Sequence, residues 1–516
     1  MKRISTLLLI TLAANLTFAQ EKKINEVNTF KVKNSGAILN KEKDVDGYYF
    51  FYELDKLKKG DREFAIQVLD KNLVEVAKKT YIDNKNTLLM KSSFNNQGIM
   101  FAMANFKEKK ISLLSYDKKV NQLPTVDISL ESKEIRYIQY MQQTGDFNIL
   151  FPVENKGFLF NKFEDNKKIG YSLKYYPTDG GKSWEYNSPD DSKEMMAINP
   201  IEVNEKVIVA LETSKPGLLS RKITLKTKII DVNTGVLLYE KEYSKNSKPR
   251  LINNAFLDKD NNVVLMGEYF NEGDNIIGDK SLGLFTEVVD LSGKTLKENF
   301  TSWKEDVAKI AKVDGNYIED KGYIYFHNIA KTNNNEYYAI GEFYKRTANA
   351  GGIALTTLSL LSGGGGGGAS VTQLTIANSV VFKFNSDFKL TGIQEFEKGK
   401  SRAPSLSDFG SPQLNAHALK SFGAFDYEYT QIDKTNDRFY ACFIDYERIK
   451  GEKNKNAFKT IICDNGQLSE DKIYLESDTN NKDFRVLPAK VGNVLLLEYD
   501  KKLKEINIHL EKINIR

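Results

Sequence analysis

The chain has 516 residues, a formal net charge of +5, 41% hydrophobic and 11% aromatic residues, three histidines and two cysteines. A charge so nearly balanced excludes the strong basic field of a nucleic-acid binder, and the apolar content is ample for a packed core. The histidines, His327, His417 and His509, are far apart with no ligand partner at helical or hairpin spacing, so no metal is expected.

The first elements concern export. Lys2 and Arg3 precede a mostly apolar run at 4–16, and Thr17, Phe18 and Ala19 then lead to Gln20. This is the pattern of a secretory signal peptide over residues 1–19, with an apolar stretch too short to span a bilayer. No Cys follows the cleavage point and no later apolar run is long enough to be a transmembrane segment. A secreted or periplasmic protein is expected, and the Lys- and Asn-rich composition is that of a Gram-negative bacterium.

From there on, short apolar runs alternate with clusters of Asn, Asp, Gly and Lys, and long helical periodicity is nearly absent. One unit recurs. It is an apolar strand, a polar turn, a very apolar second strand, a variable loop, a third strand closing on Asp or Asn, and a weaker fourth strand. The second strand is read at 47–54, 98–106, 147–154, 206–212, 262–270, 336–344, 438–447 and 493–500. Such runs suit strands buried on both faces. Asp or Asn, often with Gly, closes the third strand at 68–73, 115–120, 176–184, 229–237, 288–296, 384–390 and 462–468, because these residues tolerate the left-handed backbone of tight turns. The pattern predicts an all-β fold, a β-propeller of four-stranded blades in one domain over 20–516, with eight blades and seven as the alternative. The last blade runs out after three strands, so the N-terminal segment 27–33 is expected to add the fourth and close the ring.

The third of these turns reads Pro-Thr-Asp-Gly-Gly-Lys-Ser-Trp at 177–184. With Asp179, Gly181, Ser183 and Trp184 it resembles the Asp-box of sialidases and sortilin-type β-propellers. The resemblance implies a turn between third and fourth strands, a carboxylate accepting backbone N–H groups, and a Trp packed between blades. It also implies a structural role, on the face opposite a sialidase active site. The Arg-Ile-Pro segment of sialidases has no counterpart, so sialidase activity is not expected.

The functional reading rests on the other face. An acid closes most second strands, at Glu53, Glu154, Glu212, Glu268, Glu342, Asp445 and Glu498, with Asn105 in the second blade. Arranged round a ring they would form a rim suited to sugar hydroxyls or calcium, although strand ends also carry charge simply because they meet water. No other cofactor is implied. Long loops at 271–283, 301–322, 345–379 and 398–421 belong to blades five to seven, and long loops on a rigid scaffold carry function. Within them, Ser302 to Glu305 reads as a capping box opening a short helix with Trp303, Val307 and Ile310 on one face. The insertion at 345–379 holds a Gly-rich stretch, 363–368, read as a hinge; Ala369 and Ser370 stand where a phosphate loop needs Lys and Ser or Thr. The second insertion is 398–421.

Cys442 and Cys463 flank a turn at 451–454. A hairpin symmetric about Glu452 and Lys453 sets them opposite each other, near enough for a disulfide, with two buried thiols the alternative. Together these features predict a non-catalytic binding scaffold for an extracellular or periplasmic protein or glycan. Its contacts over blades five to seven are Glu268, Tyr269, Glu342, Tyr344, Arg402 and His417. The alternative is a glycan-active hydrolase or lyase using the same carboxylates, for which two of them must stand roughly 5–10 Å apart in a pocket.

Overall fold

The computed structural model describes residues 20–514 except 58–59, 145–147, 166–168, 218–222, 244–247, 275, 277, 350–371, 406–410, 422, 448–454 and 476–480. The expected signal peptide and the Gly-rich stretch lie outside the described residues. The chain is an eight-bladed β-propeller, built of eight antiparallel sheets of four paired strands each, with a fifth strand, Ser401–Pro404, added to the sixth. The first strands are Ser35–Leu39, Thr87–Phe94, Leu150–Val153, Met195–Val203, Arg250–Leu257, Tyr323–Lys331, Tyr427–Asp433 and Lys482–Pro488. Each contacts the first strand of the next blade, and the last contacts the first, so they surround a central channel.

The second strands are the most apolar because each is covered on both faces by neighbouring blades. In blade one, Tyr48, Phe50 and Tyr52 pack toward blade eight, while Tyr49 and Phe51 pack toward blade two. This is the two-residue alternation of a strand. The same arrangement repeats as one hydrophobic cluster at each of the eight blade interfaces. Each fully buried Phe or Leu contributes about 1.5–3 kcal/mol, so the ring is held mainly by contacts between blades.

The ring closes through the N-terminus, but with Glu21–Ile24, which pair with the third strand of blade eight from Glu21 opposite His509 to Ile24 opposite Ile506. The expected segment, 27–33, instead crosses to blade one, burying Val27 and Phe30. An outer strand has one face in water and takes a polar sequence, Glu-Lys-Lys-Ile, whereas the apolar segment goes to the core. Blade three also differs from the sequence reading. Its second strand is Gly157–Asp165, and 147–154 holds the first strand, Leu150–Val153. Inner and second strands are equally apolar here, so hydrophobicity does not rank them. Glu154 therefore sits in the first-to-second turn, on the opposite face from the other acids. An unanticipated helix, Ser132–Thr144, links blades two and three.

Of the two readings of the cysteines, disulfide or two buried thiols, the second holds. Cys442 pairs with Thr460 and Cys463 with Phe439, a register three positions away from a direct Cys–Cys pair. An odd offset puts the two side chains on opposite faces of the sheet. Cys463 packs toward blade six and Cys442 toward blade eight, both as buried free thiols.

In such a meander, the second-to-third loops and the connections between blades leave from one face, and the tight turns leave from the other. All four long connections of blades five to seven are of the first kind. In the connection from blade five to six, Ser302 caps Trp303–Val307 by accepting the Glu305 N–H at 3.3 Å, and Trp303 and Val307 are buried. The reciprocal bond comes from Asp306, whose carboxylate accepts the Ser302 N–H at 2.7 Å, because this first turn is π-helical and one residue longer than the α-helical box assumes.

Candidate functional site

The turn at 177–184 joins the third and fourth strands of blade three, on the tight-turn face. Asp179 accepts the Gly181 N–H at 2.9 Å. The corresponding Asp70, Asp117, Asp231 and Asp290 accept backbone N–H groups in the same way. Trp184 donates its Nε1–H to the Val232 carbonyl of blade four at 2.9 Å and stacks on Tyr175. Gly235, at φ 71°, lies under the indole, where a Cβ would stand 2.5 Å from the ring. Ser183 is exposed. These groups tie two blades together.

The acids of the second strands do not form a solvent rim. Glu53, Glu212, Glu268, Glu342 and Asp445 are all buried. Most are paired at once: Glu53 with Asn28 at 2.9 Å, Glu212 with Lys228 at 3.2 Å, Asp445 with Lys472 at 3.1 Å and Glu498 with Lys482 at 2.9 Å. A buried carboxylate needs such a partner, since leaving it unpaired costs several kcal/mol.

Glu342 stands at the centre of a larger cluster. Lys398 Nζ lies 3.0 Å from one carboxylate oxygen and 2.5 Å from Asp426, while His327 Nε2 lies 3.0 Å from the other oxygen. The Tyr427 N–H donates to that oxygen at 3.0 Å, and Ser401 donates to Asp426 at 2.7 Å. Burial alone would raise the Glu342 carboxyl, but Lys398 and His327 outweigh it and hold it well below its usual range. Burial dominates at Asp426, which is raised, and at His327, which burial and then the Lys420 charge push down to about 3. The His327 ring is neutral at ordinary pH and stacks flat on Tyr427, with centroids 4.8 Å apart.

Glu268, the equivalent residue of blade five, has the opposite state. It is 1% exposed, no cation among the described residues pairs with it, and burial pushes its carboxyl up to about 8 despite a hydrogen bond with Ser281. Ser281 also accepts the Trp303 Nε1–H at 3.1 Å. Tyr269 packs edge-on against Phe300, and Tyr344 packs against Tyr323 and Phe425; both are buried. Of the six expected contacts, only Arg402 is exposed, with His417 half-buried.

The insertion at 398–421 explains why. Its helix, Pro412–Ser421, lies over the inner ends of blades five to seven and packs on Tyr325, Tyr344, Leu374, Ile376 and Ala403. His417 Nε2 is 2.7 Å from Asn253 of blade five, and Lys420 Nζ lies 4.9 Å from the ring centre of Tyr427 of blade seven. Burial holds the Lys420 amine down to about 8, partly offset by Glu342 and Glu428. Beside this helix, at the channel mouth, is a cavity of about 240 Å³. It is lined by Lys33, Lys420, Glu428 and Arg485 and by apolar residues that include Phe425 and Phe484. Arg485 is fixed by Nη1 bonds to the carbonyls of Val32 at 3.1 Å and Ser35 at 2.5 Å. Glu428 is exposed in the cavity, yet the protein around it pushes its carboxyl up, against the pull of Arg485, Lys420 and Lys33. Neither Glu268 nor Glu342 lines this cavity.

A larger cavity, about 350 Å³, opens between blades three and four and is lined by Glu164, Asp190 and Glu194, with no cation among the described lining residues. Among the described residues no three or more His, Cys, Asp and Glu side chains gather to hold a metal ion, and no helix is long and apolar enough to cross a membrane. Sequence reasoning missed His327, Lys398, Asp426, Lys420, Glu428 and Arg485. Lys398 and Lys420 lie inside a flagged insertion, but no spacing links them to residues on other blades.

Fold and site together define an eight-bladed β-propeller with a charged cavity at the mouth of its channel. The chain belongs to the family described as a family of unknown function (DUF6770), whose model matches residues 1–514. No curated protein matches it. Among solved structures it is similar to the WD40 domain of SCAP from fission yeast, at 7% identity and TM-score 0.38, covering 95% of this chain and 94% of that one. It is also similar to prolyl oligopeptidase B from Galerina marginata, at 8% identity and TM-score 0.40, covering 92% of this chain and 56% of that enzyme. A third similarity is to TolB from Acinetobacter baumannii, at 10% identity and TM-score 0.23, covering 84% and 82%.

Proposed function

We propose that this is an exported binding protein whose partner, an extracellular or periplasmic protein or glycan, seats on the long-loop face. One observation carries the reading. The long connections of blades five to seven and the charged cavity at the channel mouth share one face, and helix Pro412–Ser421 joins them. Export rests on the signal-peptide pattern at 1–19. Arg402 and His417 are the proposed contacts from the loops. Glu268, Tyr269, Glu342 and Tyr344 support them from below. The Asp-box-like turn of Asp179, Gly181, Ser183 and Trp184 is a structural tie on the other face.

The glycan-active alternative has one observation in its favour, since Glu268 and Glu342 are held in opposite protonation states, as an acid and a base require. Their burial away from the cavity favours binding over hydrolysis. The test blocks each face in turn. Arg402→Cys and Lys182→Cys variants each take a polyethylene-glycol maleimide, the two native thiols being buried. Both are then screened on glycan and peptide arrays. Blockage at 402 is expected to abolish the binding shown by the unmodified protein, and blockage at 182 to leave it. The reverse pattern, or turnover of chromogenic glycosides that Glu268→Gln abolishes, overturns the proposal.

A further inference from the structure

The cavity at the channel mouth adjoins a second of about 230 Å³, the two sharing Leu475, Phe484, Arg485 and Val486 as lining. Together they outline one groove. It runs from the innermost strand of blade eight, past Leu496 to Glu498 on the second strand, to His509 and Glu511 on the third. Its two halves differ in charge. The inner half carries Lys33, Lys420 and Arg485 against the single carboxylate Glu428, while the outer half carries Glu498 and Glu511 with His509.

Lys420 is the group that asks for a ligand. It lies close over the Tyr427 ring, and among the described residues no carboxylate stands within ion-pair distance of it. For a partly buried ammonium group with no carboxylate beside it among the described residues, an incoming anion supplies a counter-ion. Arg485, already braced on two carbonyls, offers the rest of its planar fork with little further loss of freedom.

An acidic sugar and the end of a polypeptide both bring a carboxylate. A sugar also presents hydroxyls around its ring and needs polar walls. Here Val32, Phe425, Ile444, Leu475, Phe484 and Val486 line the inner half, and among the described residues Tyr427 is its one uncharged polar side chain. A terminal residue with an apolar side chain matches such walls, and its extended backbone fits an elongated groove.

We infer that the groove receives the C-terminal end of an extended polypeptide. Its carboxylate sits between Lys420 and Arg485, and its last, apolar side chain rests against Phe425 and Phe484. The inference deepens the proposed function and rests on the long-loop face being the binding face.

The probe is acetyl-alanyl-alanyl-phenylalanine as the free acid and as the C-terminal amide, titrated calorimetrically into the mature protein beside glucuronic acid. The free acid is expected to bind about tenfold tighter than the amide, the size of one charge-assisted hydrogen bond. Lys420→Gln should erase that preference without lowering the melting temperature, and Lys420→Arg should restore it. Equal binding of acid and amide, retention of the preference in Lys420→Gln, binding of glucuronic acid alone, or no binding of any probe overturns the inference. The face-blocking experiment distinguishes the two failures. If blockage at 402 still abolishes binding, the binding face stands and only the chain-end ligand is lost.

Discussion

Glu268 is a carboxyl group kept protonated by its surroundings, and replacing it with glutamine tests that directly. The side chain is 1% exposed, it bonds to Ser281, and burial raises its carboxyl from 4.5 to about 8. Between these two values the folded protein holds a proton that the unfolded chain has released. Raising the pH through that window therefore destabilises the wild type, by about 1.4 kcal/mol per pH unit and roughly 3–5 kcal/mol in all. Above pH 8 the loss is complete. Glutamine has the same shape and no proton to lose. Glu268→Gln should thus be no more stable than wild type at pH 4.5 and more stable at pH 9, by roughly 3–5 kcal/mol. Urea unfolding of both proteins at pH 4.5, 7 and 9 reads the difference, because every other titrating group is common to the two. A difference that does not change with pH refutes the reasoning, since it would mean that Glu268 ionises in the folded protein as it does in water.

Two further outcomes follow from the same structure. Lys398→Met leaves Glu342 and Asp426 buried without their cation. It should cost about 3–5 kcal/mol in denaturant unfolding at pH 7, and a loss under 1 kcal/mol would mean the cluster is not charged as described. Removing residues 20–24 takes away the strand that pairs with Glu505–Lys512 and leaves that strand as an open edge. Concentration-dependent association in size-exclusion chromatography is expected, and a truncated protein that stays monomeric with an unchanged melting temperature would count against closure by this strand.

How much of this was legible in the chain differs from one element to the next. The apolar second strands were readable because each is buried on both faces, so its whole length is hydrophobic, as in 206–212 and 493–500. The turns were readable because Asp70, Asp117, Asp231 and Asp290 do the same local work within a few residues of themselves. Blade three was misread where two adjacent strands are equally apolar. The cysteine pair stayed open between a bridge and two buried thiols because register within a hairpin depends on its turn, and three positions of slip reverse the face.

The site was another matter. Lys420 and Arg485 meet only because the helix of one insertion lies over the channel mouth and the ring brings blade eight round beside blade seven. Likewise, Glu268 and Glu342 hold equivalent places in successive blades, yet one is protonated and the other ionised, because Lys398 reaches only the second. The sequence by itself determined the strand repeat, the turns and the number of blades, since these rest on hydrophobic alternation and backbone preferences over short distances. Only the tertiary structure decided which acids are buried, which are paired and where cations converge, because desolvation and Coulomb attraction depend on distance in space and not along the chain.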